Sequence, residues 1–403
     1  MASNHTFTFF SLAAMLATGC LKADNHDTGA ADDTGTADDT GTDEVSVRCN
    51  DSYTIGNNED VLPLEGCEII TGDLTIASAG SSVTDLSALY SLKEVQGDLM
   101  MHRNWELSTL KGLDSLQTIG GDLTLDENPV LADLDPLASL ETIGDDLDVL
   151  LMNGLTNLDG LSGLTRIRCD VQIEENELLV DVSGLSGAEL SRPIADGGCS
   201  DADILVTYNP SLTNLDGLQG ARDIHELIVE NNDALENLHG LENVTDVSVF
   251  RIRYNTRLEN LDGLDNLTGL GGLDTIGNDS LSTIDALDSL RTVTGILRFN
   301  SNPVLVSLDG LNHVTAAHHL VIRNNAALSD LDALDALVTL DLGLEIRDND
   351  LLTSVSGLSS LDSVAGNIRI TKNDLLCDDH VNDVLALTYY GTSYSVDNDG
   401  TCH

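Results

Sequence analysis

The sequence predicts a β-rich repeat solenoid of about thirteen stacked rungs. Three observations predict it. A short apolar core of strand-like alternation recurs every 23 to 25 residues from Leu74 to Ile368. An asparagine stands five residues after the leading apolar position in eleven of the thirteen units. A leucine stands eight residues after it in every unit from the second to the last. Composition agrees: 41% of residues are hydrophobic but only 3% aromatic, so small and medium aliphatics fill thin layers instead of a bulky core.

The units justify themselves in order. The cores read GDLTI from Gly72, GDLMM from Gly97, GDLTL from Gly121, and later GILRF from Gly295 and GNIRI from Gly366. One step is longer, 33 residues between Val171 and Ile204. The leading residue and the residue two beyond alternate with polar neighbours, which is the period of a strand. The asparagines that follow, such as Asn104, Asn128, Asn176, Asn302 and Asn373, fall where the chain must turn a corner; Ala79 and Met152 are the exceptions. Stacked amides there can satisfy backbone groups that a corner would orphan. Aliphatics at three-residue spacing then return the chain through a tight, partly helical turn, aided by Leu-Asp-Gly-Leu runs at Leu158, Leu215, Leu261 and Leu308. A single rung buries too little to offset its ordering, so stability belongs to the array. Thirteen rungs at ~4.8 Å predict a rod of roughly 60 Å.

The ends have different characters. Residues 1–20 read as a secretion signal: Phe7 to Leu16 is largely apolar, and Ala17-Thr18-Gly19 precedes Cys20. That order is similar to a bacterial lipobox, which implies lipidation of Cys20; the alternative is a plain signal peptide. By the same resemblance, Leu21 behind the lipid favours the outer membrane, and the expected location is the outer membrane or cell surface of a bacterium. Residues 21–48 form an acidic Asp/Thr/Gly tether with no apolar periodicity, expected to be disordered. Residues 49–71 form an N-terminal cap, 72–376 the solenoid and 377–403 a C-terminal cap. In that last cap Asp378 to Leu387 reads as a short helix with Val381, Val384, Leu385 and Leu387 inward. No stretch reaches the ~18 consecutive apolar residues of a membrane span.

Of the seven cysteines, Cys20 is assigned to the lipid. The other six form local pairs, Cys49 with Cys67, Cys169 with Cys199 and Cys377 with Cys402. Disulfides are the default in an exported chain, although six cysteines allow fifteen connectivities. Zinc-type cysteine spacing with histidine partners is absent.

The repeat unit, with its asparagine followed three residues later by leucine as in Asn128 and Leu131, resembles the receptor L-domain type of leucine-rich repeat. That type builds ligand-binding modules of insulin and EGF receptor ectodomains, and has relatives among fungal cell-wall proteins and bacterial lipoproteins. The resemblance covers about residues 49 to 403. It implies a right-handed solenoid, of the leucine-rich-repeat β-helix kind with disulfide-tied caps, that binds on a sheet face. Two departures stand out: receptor L domains have fewer rungs, and the cysteine-rich modules between them are missing here.

Function follows from what the chain carries and lacks. A net charge of −50, from 68 acidic and 18 basic residues, repels nucleic acid and anionic membrane surfaces. No metal-binding helix, phosphate loop or nucleophile elbow is present. No enzyme, metal or cofactor is therefore expected, and near-constant rung lengths leave little material for a catalytic cleft. Asp397-Asn398-Asp399-Gly400 resembles a calcium-loop fragment but lacks its remaining ligands, so a turn is expected. Outward positions lie one and three residues after each leading residue. In the last six rungs six of those twelve are arginine: Arg251, Arg253, Arg298, Arg323, Arg347 and Arg369; the seven earlier rungs have none. Guanidinium forks suit carboxylate, sulfate or phosphate groups. The expectation is a monomeric surface lipoprotein, held to its membrane by the lipid alone, that recognises a protein or acidic glycan through this stripe. The competing readings are internal neutralisation by Asp274 and Glu345, an envelope spacer without a ligand, and, more remotely, a polysaccharide-active enzyme. The 33-residue step holds an insertion, Ala188 to Cys199, that either shapes a site or is a surface excursion.

Overall fold

The computed structural model describes residues 46–78, 82–190, 202–385, 389–390, 394–398 and 400, and Ser46–His403 forms one compact unit. Cys20, the signal segment, nearly all of the tether, Cys199 and Cys402 lie outside the described residues. So does most of the insertion.

The chain is a parallel β-solenoid. Fifteen strands stack in one ladder: β1 Tyr53–Ile55, β2 Leu74–Ala77, β3 Leu99–His102, β4 Leu123–Asp126, β5 Leu147–Leu150, β6 Val171–Glu174, β7 Ile204–Thr207 and β8 Asp223–Glu230. Then follow β9 Asp246–Arg253, β10 Leu273–Ile276, β11 Ile296–Asn300, β12 Ala316–Arg323, β13 Thr339–Arg347, β14 Asn367–Thr371 and β15 Tyr394–Asp397. Every pairing is parallel and sets leading residue on leading residue, as in Leu147 on Val171 and Phe250 on Leu273. The thirteen repeats give β2 to β14. Each cap adds one further strand, because Tyr53 pairs with Leu74 and Ile368 with Tyr394. A cap that continues the ladder covers the terminal rung's apolar edge and its backbone groups together.

A second, narrow strip of two-residue strands, from Arg48–Cys49 to Glu189–Leu190, runs beside the first half of the ladder. From β8 onward, several longer strands span both strips, as Asp223 pairs with Asp246 while Leu227 pairs with Phe250. Short 3-10 turns such as Asp135–Leu137, Asp159–Leu161 and Ser356–Leu358 make the expected return. Of the Leu-Asp-Gly-Leu runs, only the first forms such a helix; at Gly217, Gly263 and Gly310 the chain instead turns through positive φ. The interior is one continuous aliphatic stack.

The corner is built by two adjacent residues. The eleven repeat asparagines are fully buried. All but Asn128, which faces Met152, donate the backbone N–H to the Oδ1 of the next asparagine, for example Asn232 to Asn255 at 3.0 Å, and each donates its Nδ2 to a carbonyl one rung back, as Asn255 to Val229 at 2.8 Å. The residue before each is left-handed, as is Leu151 before Met152: eleven non-glycine residues from Arg103 to Lys372 have φ between 50° and 58°, and Gly277 is the twelfth. Ser78 takes the asparagine's role at the first repeat, with N–H and Oγ both donating to Asn104 at 3.1 Å. Asn398 takes it at the far end and hands the ladder to Asp378, whose Oδ1 accepts from Asn398 N at 3.0 Å and Nδ2 at 2.9 Å. Asp378 opens the cap helix α1, Asp378–Leu385, which buries Val381 and Leu385; the side chains of Val384 and Leu387 lie outside the described set. The Asp397-to-Gly400 segment thus ends the asparagine ladder.

Cys49 and Cys67 are joined by a disulfide. Cys169 and Cys377 are also disulfide-bonded, to partners outside the described residues. No described helix is long and apolar enough to cross a membrane.

Candidate functional site

Strand alternation turns every other side chain of the ladder away from the core. On this face three columns run along the rod. One lies just before the leading residue, the others one and three residues after it. Most of these side chains are part-exposed.

The last column pair contains the six predicted arginines, and the structure brings them together along β9 to β14. It also gives five of them carboxylate partners. Arg251 Nη1 lies 2.5 Å from Glu226. Arg253 and Arg298 share Asp274 at 2.6 and 2.7 Å, and Arg253 reaches Glu230 at 3.5 Å. Glu345 sits between Arg323 and Arg347, and Arg347 Nε also meets Asp348 at 2.6 Å. The stripe is therefore an ion-pair lattice, the internal neutralisation that Asp274 and Glu345 foreshadowed. Arg369 is exposed and makes no ion pair among the described residues.

The first column is a ladder that the sequence reading missed. Asp73, Asp98, Asp122, Asp146, Asp170 and Asp203 stack one per rung. Each Oδ1 accepts the backbone N–H of the next member, as Asp98 from Asp122 at 3.1 Å and Asp146 from Asp170 at 2.8 Å; Glu226 closes the run on Asp203 at 2.9 Å. Its signal was in plain sight, an Asp before the leading residue in six consecutive units. Asp126, Asp148 and Glu174 stand beside it on the same face. Burial, with neighbouring carboxylates adding to it, pushes Asp146 and Asp148 up to about 6, and also raises Asp126, Asp170 and Glu174. The two ends of the face thus differ: paired charges in the arginine half, crowded carboxylates in the other.

Two hollows indent the arginine half. One holds about 250 Å³ between Val249, Gly272 and Ile296, with Arg251, Asp274 and Arg298 alongside. The other holds about 200 Å³ around Gly343, with His319, Glu345 and Arg369. Burial, opposed by Glu345 and reinforced by Arg298 and Arg323, lowers the His319 pKa, so its ring is neutral at pH 7. His318, on the bulge that shifts the register of β12 against β13, is exposed instead.

Asp145, Asp146 and Cys169 approach one another as metal ligands would, with Cys169 Sγ 2.6 Å from Asp145 Oδ1. Cys169 is disulfide-bonded, and a disulfide sulfur is neither a thiolate ligand nor a hydrogen-bond donor.

No curated protein matches the chain. Residues 66–135 match the model of the receptor L domain, in agreement with the stacked parallel rungs, the aliphatic interior and the outward-facing sheet.

Proposed function

We propose that the chain is an exported, lipid-anchored recognition module that binds a protein or acidic-glycan partner through the outward face of its parallel sheet. The observation that carries this reading is the face itself, fifteen rungs long and lined by part-exposed, chemically varied side chains on a rigid ladder. The similarity of residues 66–135 to the receptor L domain supports a ligand-binding module. The secretion-like residues 1–20 and Cys20 support export and lipid attachment. Surface display and the identity of the partner belong to the same proposal. No catalytic role is proposed.

The test is a binding screen of the chain against immobilised acidic glycans and envelope-protein extract at low and high salt, with an Arg298→Gln/Arg323→Gln pair alongside. Salt-sensitive binding that the pair weakens at least tenfold is expected. Binding to nothing at either salt sinks the reading. One observation favours a second reading, a structural spacer: the arginines already pair with Glu226, Asp274 and Glu345, as a self-contained lattice would. The spacer reading predicts that the arginine pair changes stability alone.

A further inference from the structure

The column just before the leading residue carries Asp or Glu through its first seven rungs. After that it reads Val249, Gly272, Ile296, His319, Gly343 and Asn367. Its only two glycines are the positions at which the two hollows open. At Gly272 the cause is direct. Val249 and Ile296 project outward from the flanking rungs, and between them the column has no side chain. The hollow has an apolar floor and side walls, with guanidinium groups at its rim. Its volume, about 250 Å³, is below the ~300–1,000 Å³ of ordinary small-molecule sites and suits one large side chain.

The rim carries unspent hydrogen-bonding capacity. Arg251 contacts Glu226 through Nη1, and Arg298 contacts Asp274 through Nη1. A guanidinium has five donors, so each keeps a free edge. Asp274 serves Arg253 as well as Arg298, one carboxylate between two cations. The geometry points to a side-chain socket: the Gly272 hollow takes one leucine- or phenylalanine-sized side chain of a polypeptide partner, with a carboxylate next to it engaging Arg251 and Arg298. This rests on the reading of the sheet face as a recognition surface. The second hollow opens at the column's other glycine, three rungs on, ~14 Å along the rod, between the polar His319 and Asn367 and beside Arg369.

Gly272 allows a clean test. A Cβ added there meets only the Ile296 backbone oxygen at 3.2 Å and nitrogen at 3.4 Å, so that backbone has to give by a few tenths of an ångström. Valine and isoleucine already occupy the same column next door. The probe is acetyl-Asp-(4-fluoro-Phe)-Asp-amide, followed by fluorine NMR on the full chain; the comparison probe replaces both Asp with Lys. The expected result is line broadening with the acidic probe, shifts at the Val249 and Ile296 methyls, and at least tenfold weaker binding to Gly272→Val and by the Lys-flanked probe. Should Gly272→Val lose its cooperative thermal transition, Arg298→Gln and the wild-type methyl shifts decide instead. Equal binding to the variant, equal binding of the two probes, or no binding of either overturns the socket. If the socket fails while salt-sensitive binding persists in the glycan and envelope screen, the sheet-face reading survives without it.

Discussion

Asp146 and Asp148 show what a repeated single residue costs on a solenoid. A lone surface aspartate is solvated and isolated; stacked at one per rung, each carboxylate is half-buried and has another acid a rung away. Both are pushed up to about 6 by burial and then by neighbouring carboxylates. A folded-state pKa above the unfolded ~3.8 means that the native state binds more protons between those values, so these groups favour folding increasingly as pH falls from about 7 toward 4. The double variant Asp146→Asn/Asp148→Asn keeps the Oδ1 that accepts the Asp170 N–H but removes both charges. Urea unfolding should find it more stable than the wild type at pH 7.5, by about 1 kcal/mol after discounting for solvent screening. The advantage should vanish by pH 4. A difference independent of pH would mean that the crowded carboxylates carry no stability penalty.

At the scale of the element, the corner sets the limits of what the sequence discloses. The asparagine was legible because its task admits few substitutes: a backbone N–H, a carbonyl one rung back and the next amide all need one planar, two-faced side chain. The left-handed residue beside it was not legible. Its side chain points to solvent, so Arg103, Glu127, Leu151 and Tyr254 fill the same backbone role and leave no compositional trace. The arginine stripe was legible as a stripe, since alternation gives the face; its neutralisation depends on which carboxylate lies across a rung, as Asp274 does for two arginines, and periodicity alone does not rank such pairings. Asn255→Leu should cost about 2–4 kcal/mol in urea unfolding, because it strands the Asn232 N–H and the Val229 carbonyl in a dry interior. The reciprocal change is Met152→Asn. Met152 Sδ lies 3.5 Å from Asn128 Nδ2, where other rungs present an amide oxygen. Restoring the amide should raise stability by about 1 kcal/mol; a loss would show that the interior there has repacked around sulfur.

Over the whole molecule, the stack makes stability a chain of nearest-neighbour terms, so each region answers to its own charges. The net charge of −50 acts against compaction everywhere. Locally the two halves differ. Rungs β4 to β7 carry Asp122, Asp146, Asp148, Asp170 and Asp203, and among the described residues these five carboxylates meet no arginine or lysine, only the exposed His225 ring at Asp203. Rungs β9 to β13 carry opposite charges in contact. Salt screens repulsion and attraction alike, with a Debye length that shrinks from ~30 Å at 0.01 M to ~8 Å at 0.15 M. Raising the salt should therefore slow amide exchange in residues 122–207 and leave it unchanged or faster in residues 246–347. Hydrogen-exchange mass spectrometry at pH 7.5 in 10 and 200 mM sodium chloride separates the two responses within one sample. Uniform slowing along the rod would mean that global self-repulsion governs, and that the boundary near β8 has no energetic meaning. Opposite responses would place a change of electrostatic character in the middle of a continuous hydrophobic stack, where the fold tolerates it because the aliphatic interior runs through unaltered.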